Sequence, residues 1–273
     1  MSLPAVARKD FRETVQSRGM IALIALFSLL VSLLAFIVRP TAQNEQFATE
    51  ALLSFFVGPV LVTYLVPLVG VVVGYSAVSG ERESGSLKLL LSLPHSRADV
   101  VFGKVVGRGA ALALAVFAGF LLPAAVLVVI PVTFNAGAFL GYTVFAAALG
   151  VVFVAISVGC SAAVSTQLRA LIGSIGVYVL FVLLWGLLTG RLLDAVPGSV
   201  VDALPASARQ IEVFLRVSNP TTGVVEVLSN AFLAEQLFSG ETASQQLSAA
   251  AMLVFWTLAP PLAGLLKFDA DDL

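Results

Sequence analysis

The stretch Ser79-Gly80-Glu81-Arg82-Glu83-Ser84-Gly85-Ser86-Leu87-Lys88, continuing through Leu93-Pro94-His95-Ser96-Arg97-Ala98-Asp99 to Gly103-Lys104, decides how this chain is read. It is an island of charge between two long apolar runs. No charged residue occurs from Ala51 to Gly80 or from Gly109 to Leu168. A charge at the centre of a bilayer costs roughly 2.5–3.5 kcal/mol, so so charged a segment between two spans lies outside the hydrocarbon. The island is also patterned. Ser86 is placed to cap a short helix carrying Leu87, Leu90 and Leu91, which Pro94 stops by removing a donor and crowding the preceding turn. Ser96 and Asp99 match a capping box that opens the next helix. Two capped helices joined at a proline make a shaped surface, suited to a soluble partner.

Of the 273 residues, 59% are hydrophobic and 11% charged. Soluble domains carry about a quarter charged residues, so the chain reads as an all-α polytopic membrane protein. A net charge of -1 says nothing about nucleic acid, but no basic face exists that could follow phosphates, so nucleic acid is not an expected partner. The single cysteine, Cys160, lies in an apolar run, which excludes an internal disulfide and reads as packing.

Apolar runs of about 20 residues match the hydrocarbon thickness. They place six transmembrane helices near 19–38, 51–78, 109–130, 138–164, 170–188 and 247–266, all within one transmembrane domain over 1–273. Residues 2–18 read as an N-terminal interfacial helix, with Leu3, Ala7, Phe11 and Val15 toward the acyl boundary and Arg8, Lys9 and Arg12 toward headgroups. The basic N-terminus precedes a full-length span with no cleavage site, so it is expected to stay on the chain. Lys104 and Arg108 are expected at headgroup level. Between spans five and six, 191–246 reads as an extracytoplasmic region with two amphipathic helices. One carries Ile211, Phe214 and Leu215; the other starts at Asn219-Pro220 and carries Val224, Val225, Leu228, Phe232 and Leu233.

Six spans put both termini on one side, together with Arg8, Lys9, Arg12, Arg18, Arg82, Lys88, Arg97, Lys104, Arg108, Arg169 and Lys267. The other side holds only Arg39, Arg191, Arg209 and Arg216. The bias puts both termini and segment 79–108 in the cytoplasm of a cell (plasma) membrane protein.

No catalytic constellation is present. His95 is the only histidine, and no G-x-x-x-x-G-K-[ST] phosphate loop exists, so the chain is not expected to hydrolyse ATP. The spans lack the acidic or basic relays of ion-coupled carriers, so any energy must come from another subunit. Met1, Met20, Met252, Cys160 and His95 are scattered and form no metal ladder. Gly70/Gly74, Gly137/Gly141 and Gly186/Gly190 offer close helix approach, a weak signal with 22 glycines in the chain.

The run Gly80–Arg97 followed by Gly103-Lys104 closely resembles the first cytoplasmic loop of ABC-2 type ABC transporter permeases. Val6-Ala7-Arg8-Lys9-Asp10-Phe11 and Asn219-Pro220-Thr221 look like segments of the branch associated with nitrous oxide reductase maturation. The resemblance implies a non-catalytic permease subunit of an ATP-driven transporter, in the exporter direction. Its loop between spans two and three would form a coupling helix seated on a cytoplasmic ABC ATP-binding subunit, which binds ATP and Mg. Carried over by position, Glu81, Arg82, Glu83, Ser84, Gly85 and Leu87 make or support that contact, and Pro94 and Arg97 shape the return into span three. The resemblance also implies pairing with a second permease copy or a homologous permease in the lipid bilayer, with an extracytoplasmic accessory protein as a further candidate partner. The alternative is a membrane scaffold or insertase-like protein without an ATPase. The cargo, copper- or sulfur-related or otherwise, is not written in the residues.

Overall fold

The computed structural model describes residues 3–37, 62–88, 96–129, 134–195, 208–221, 224–233, 237–239 and 242–271. No strand occurs among them. In chain order the helices are α1 (Leu3–Val15), α2 (Arg18–Ile37), α3 (Val66–Gly74), α4 (Ser79–Glu83), α5 (Arg97–Val129), α6 (Ala136–Ala163), α7 (Gln167–Tyr178), α8 (Trp185–Ala195), α9 (Ala208–Ser218), α10 (Val224–Leu233) and α11 (Ala243–Ala270). A π-helical stretch, Val179–Leu184, joins α7 to α8.

Among the described residues, five helical stretches are long and apolar enough to cross a membrane: Val62–Glu83, Arg97–Val129, Ala136–Ala163, Gln167–Leu192 and Ala243–Ala270. The pair Leu3–Val15 and Arg18–Leu33, turned by 62° at its break, makes a sixth if it is counted as one span. The chain is an all-α polytopic membrane protein.

α6 is the central helix. It is apolar around its whole circumference, which is the signature of a buried helix. Leu149, Phe153, Val154 and Ile156 are all buried. On one side Gly70 and Gly74 of α3 bring the two backbones together against Phe153, Val154 and Ser157, so this glycine pair is used inside the chain. On another side Gly159 meets Gly264 and the Pro260-Pro261 backbone of α11. Gly141 lies under the Phe232 ring of α10, whereas Gly186 and Gly190 have nothing within 4 Å of an added Cβ.

The prolines and the π stretch are accommodated by side-chain donors. Pro123 inside α5 has no N–H for the carbonyl of Gly119, and Ser28 Oγ of α2 donates to that oxygen at 2.9 Å. In the π stretch, Phe181 O accepts from Asn219 Nδ2 at 2.7 Å. Asn219 Oδ1 in turn accepts from the Thr221 N–H at 2.7 Å, a local turn ahead of α10, which begins at Val224 and not at Pro220 as the Asn-Pro pair suggested. Trp185 Nε1 donates to Leu215 O at 3.0 Å, and Trp256 Nε1 to Ser218 O at 2.9 Å. These bonds seat α9 with Val217 buried, Ile211 and Leu215 half-buried and Phe214 exposed.

Two further differences from the sequence reading place the charged end. α5 runs unbroken from Arg97, twelve residues before the expected start of span three, because the Ser96–Asp99 capping box nucleates it. Ser96 Oγ accepts from the Asp99 N–H at 3.0 Å and Asp99 Oδ2 accepts from the Ser96 N–H at 3.1 Å. And α1 turns its buried face, Val6, Ala7 and Asp10, onto Gly103 and Gly107 of α5. A Cβ at Gly107 would run into the Ala7 carbonyl, so the helices touch backbone to backbone. The stripe Leu3-Ala7-Phe11-Val15 expected to meet lipid is thus partly spent on protein.

Candidate coupling site

α3 ends at a turn, Tyr75–Val78, and the chain enters α4 across the end of α6. Ser161 of α6 pins that bend: its Oγ accepts from the N–H groups of Val78 and Ser79, both at 3.0 Å, and lies 3.0 Å from Ser79 Oγ. α4 is therefore fixed to the central helix before any charged residue appears.

Glu81 points into the protein. Its Oε1 sits 2.8 Å from Lys104 Nζ and 3.5 Å from Lys9 Nζ. Lys104 also approaches Asp10, at 3.3 and 3.4 Å, and Arg108 Nε lies 3.3 Å from Asp10 Oδ2. Lys104 and Asp10 are each only 1% exposed, so Lys104 belongs to an interior cage. Arg108 Nη1 adds a bond to Val73 O at 2.6 Å. The cage joins α1, α3, α4 and α5, and its charges balance closely, as buried ions require.

Arg82 and Arg97 turn instead to the last helix. Phe268 is fully buried, with the Arg82 and Arg97 guanidinium carbons 5.0 and 4.8 Å from its ring centroid, within cation–π range. Arg82 Nη1 lies 3.1 Å from Asp271 Oδ2. Arg97 Nη1 donates to the carbonyls of Phe268 and Asp271. The Arg82 guanidinium, with Lys267 beside it, holds the Asp271 carboxyl below its ordinary range.

The remaining positions form a surface. Glu83 Oε2 accepts from Gln167 Nε2 at 2.9 Å at the exposed start of α7. Ser84 Oγ donates to Glu81 O at 3.2 Å and lies 2.9 Å from Ser86 Oγ. Gly85 takes φ +76°, a conformation glycine reaches without strain, and so turns the chain outward. Leu87 returns to the core at 1% exposed, leaving Glu83, Ser84, Gly85, Ser86 and Lys88 exposed around it. Pro94 and His95 lie outside the described residues.

The structure thus brings Glu81, Arg82, Glu83, Ser84, Gly85, Leu87 and Arg97 to one end of the bundle, though facing different ways. Sequence reasoning missed Asp10, Phe268 and Asp271. Asp10 had a readable signal: it falls in helical register with Leu3, Val6 and Ala7, on the stripe that a solvated acid avoids.

The family model for ABC-2 family transporter protein matches residues 4–273. The chain belongs to this family. It is 34% identical over 190 residues, 67% of either chain, to a Pseudomonas aeruginosa protein named probable ABC transporter permease protein NosY. A Stutzerimonas stutzeri protein of the same name is 33% identical over 196 residues, 69% of either chain. Membership in the ABC-2 family makes this a multi-pass transporter permease subunit, and implies an ABC ATP-binding partner in general terms. Among the described residues no group of His, Cys, Asp and Glu fit to hold a metal occurs.

Proposed function

We propose that this permease is the membrane half of an ATP-driven exporter, with both termini and the α4 segment in the cytoplasm of the plasma membrane. A separate ABC ATP-binding subunit, holding ATP and Mg, docks on Glu83, Ser84, Gly85, Ser86 and Lys88, with Leu87 anchoring the turn. Glu81, Arg82 and Arg97 support the contact from within, and Pro94 shapes the return to α5. Two permease copies, or two homologous permeases, pair around the transport path, with an accessory protein on the opposite face.

One observation carries this reading: α4 is tied at once to α1 and α5 through Lys104, to α6 through Ser161, and to α11 through Arg82 and Phe268. A push delivered to the exposed turn reaches four elements without passing through a flexible linker. Nucleotide-driven closure of the ATP-binding subunits then tilts the spans as rigid bodies, and hydrolysis resets them. No side chain of this chain does covalent work in that cycle.

The test is labelling and capture. A Ser84→Cys variant in intact cells should resist a membrane-impermeant thiol reagent and react after lysis. Co-expression with the ATP-binding subunit should yield a complex that Glu83→Ala with Lys88→Ala weakens. Labelling from outside, or an undiminished complex, overturns the proposal. Uptake into inverted vesicles, with the ATP-binding subunits facing the bath, fixes the direction.

A further inference from the structure

A cavity of about 520 Å³ opens between α2 and α3 at the charged end of the bundle, floored by α1. Its walls are apolar: Met20 and Leu23 on α2 face Leu68, Val69 and Val72 on α3, with Leu65 at the far end. From Leu65 to Val72 the helical rise is about 10 Å, enough for the first half of an acyl chain to lie along it. Its other end is polar, lined by Glu13, Thr14, Ser17, Ser76 and Arg108.

The division of polarity along one cavity matches the division along one phospholipid. Arg108 is fixed at the polar end by Asp10 Oδ2 at 3.3 Å and Val73 O at 2.6 Å. Those bonds use Nε and Nη1 of a guanidinium with five donors, which leaves donor capacity for a phosphate. Glu13 stands on the rim, 62% exposed and only 3.8 Å from Lys9 in solvent. A phosphate met by Arg108 and an ammonium met by Glu13 describe a zwitterionic headgroup. A headgroup without an ammonium offers Glu13 no cation and sets a second negative charge beside it.

We infer that this groove holds one phospholipid with a primary-ammonium headgroup, of the phosphatidylethanolamine class, from the leaflet at the charged face. The inference stands on the cavity and its charges and does not need an ATP-binding partner. Such a lipid would seal the α2–α3 seam, where the exposed Val72 otherwise faces an open slot.

Native mass spectrometry of the protein purified in mild detergent tests this. Wild-type protein should retain one phosphatidylethanolamine per chain and prefer it to phosphatidylglycerol by about tenfold, the size of one charge-assisted bond. Glu13→Gln should erase the preference while still retaining lipid. Val72→Trp, which fills the slot from an exposed position, should lose the lipid while eluting as a monodisperse species. Equal retention of both lipids by the wild type, or none, overturns the inference whether or not the variants fold. Full retention by Val72→Trp also overturns it. So does efficient disulfide cross-linking of Leu68→Cys between two chains in membranes, which would give the groove to a second copy.

Discussion

The ammonium of Lys104 lies 2.8 Å from Glu81 Oε1, inside the protein, with both groups on elements that reach the charged end of the bundle. The same ammonium serves Asp10 of α1 at 3.3 Å. One buried cation therefore holds the N-terminal helix and the α4 segment to a single span. Ion pairs this deep contribute little net stability when intact, but removing one partner leaves an uncompensated charge and costs about 3–5 kcal/mol. Lys104→Met should therefore be the most damaging single change in the cage, because it leaves Asp10, 1% exposed, with Arg108 as its one cation and Glu81 with only the exposed Lys9. Glu81→Gln should cost less, because Lys104 keeps Asp10 and Glu81 is 18% exposed. Denaturation midpoints in detergent measure both; equal midpoints for Lys104→Met and wild type would refute the cage.

The clamp on the last helix carries a pH signature. Asp271 lies beyond the end of α11, and its carboxyl is held below the ordinary value of 3.8, first by the hydrogen bond from Arg82 and then by Lys267. A depressed folded value means the Arg82–Asp271 tie is fully present above about pH 4 and is lost as the pH falls through the lower, folded value. Titration of isotope-labelled aspartate carboxyls should find Asp271 below the other exposed acids. Arg82→Gln should move it back up, though Lys267 at 3.4 Å keeps part of the shift. No movement on Arg82→Gln would break the assignment.

What sequence made legible here, and what it hid, divides along a physical line. Spans follow from runs of apolar residues, and caps from local pairs such as Ser96–Asp99, because both signals are written within a few residues. The cage and the clamp depend on which faces meet across the bundle. Asp10 and Lys104 are 94 residues apart, and Arg97 and Phe268 171 apart. Hydropathy thus gave no sign that Lys104 would meet Asp10 or that Arg97 would meet Phe268. Gly70 and Gly74 were visible as a close-approach pair, but only the structure names α6 as the partner.

The glycine contacts make opposite predictions at two sites of similar sequence. Gly264 packs against the Gly159 backbone, so Gly264→Val must separate α6 from α11 and should cost about 1–3 kcal/mol, the usual range for overpacking. Gly186 has open space around it, so Gly186→Ala should leave stability unchanged or raise it by about 0.5–1 kcal/mol, as expected for glycine within a helix. Thermal midpoints of the two variants, compared side by side, check the pair. A Gly264→Val protein as stable as wild type would mean the α6–α11 crossing is looser than described.

Arg82 and Glu83 are neighbours in sequence but face different ways, which separates docking from transmission. Glu83 is exposed beside Gln167, whereas the Arg82 side chain is 13% exposed and tied to Asp271 and Phe268. If the ATP-binding subunit sits on the exposed turn, Glu83→Ala with Lys88→Ala should weaken the complex by about tenfold, the equivalent of one lost charge-assisted contact. Its folding midpoint should not change. Arg82→Ala should act the other way: the complex still assembles, but less transport accompanies each ATP hydrolysed, because the push no longer reaches α11. Co-purification yields, together with the transport-to-hydrolysis ratio in proteoliposomes, read the two effects independently. A weakened complex for Arg82→Ala at unchanged stability would place Arg82 in the docking surface and refute the division.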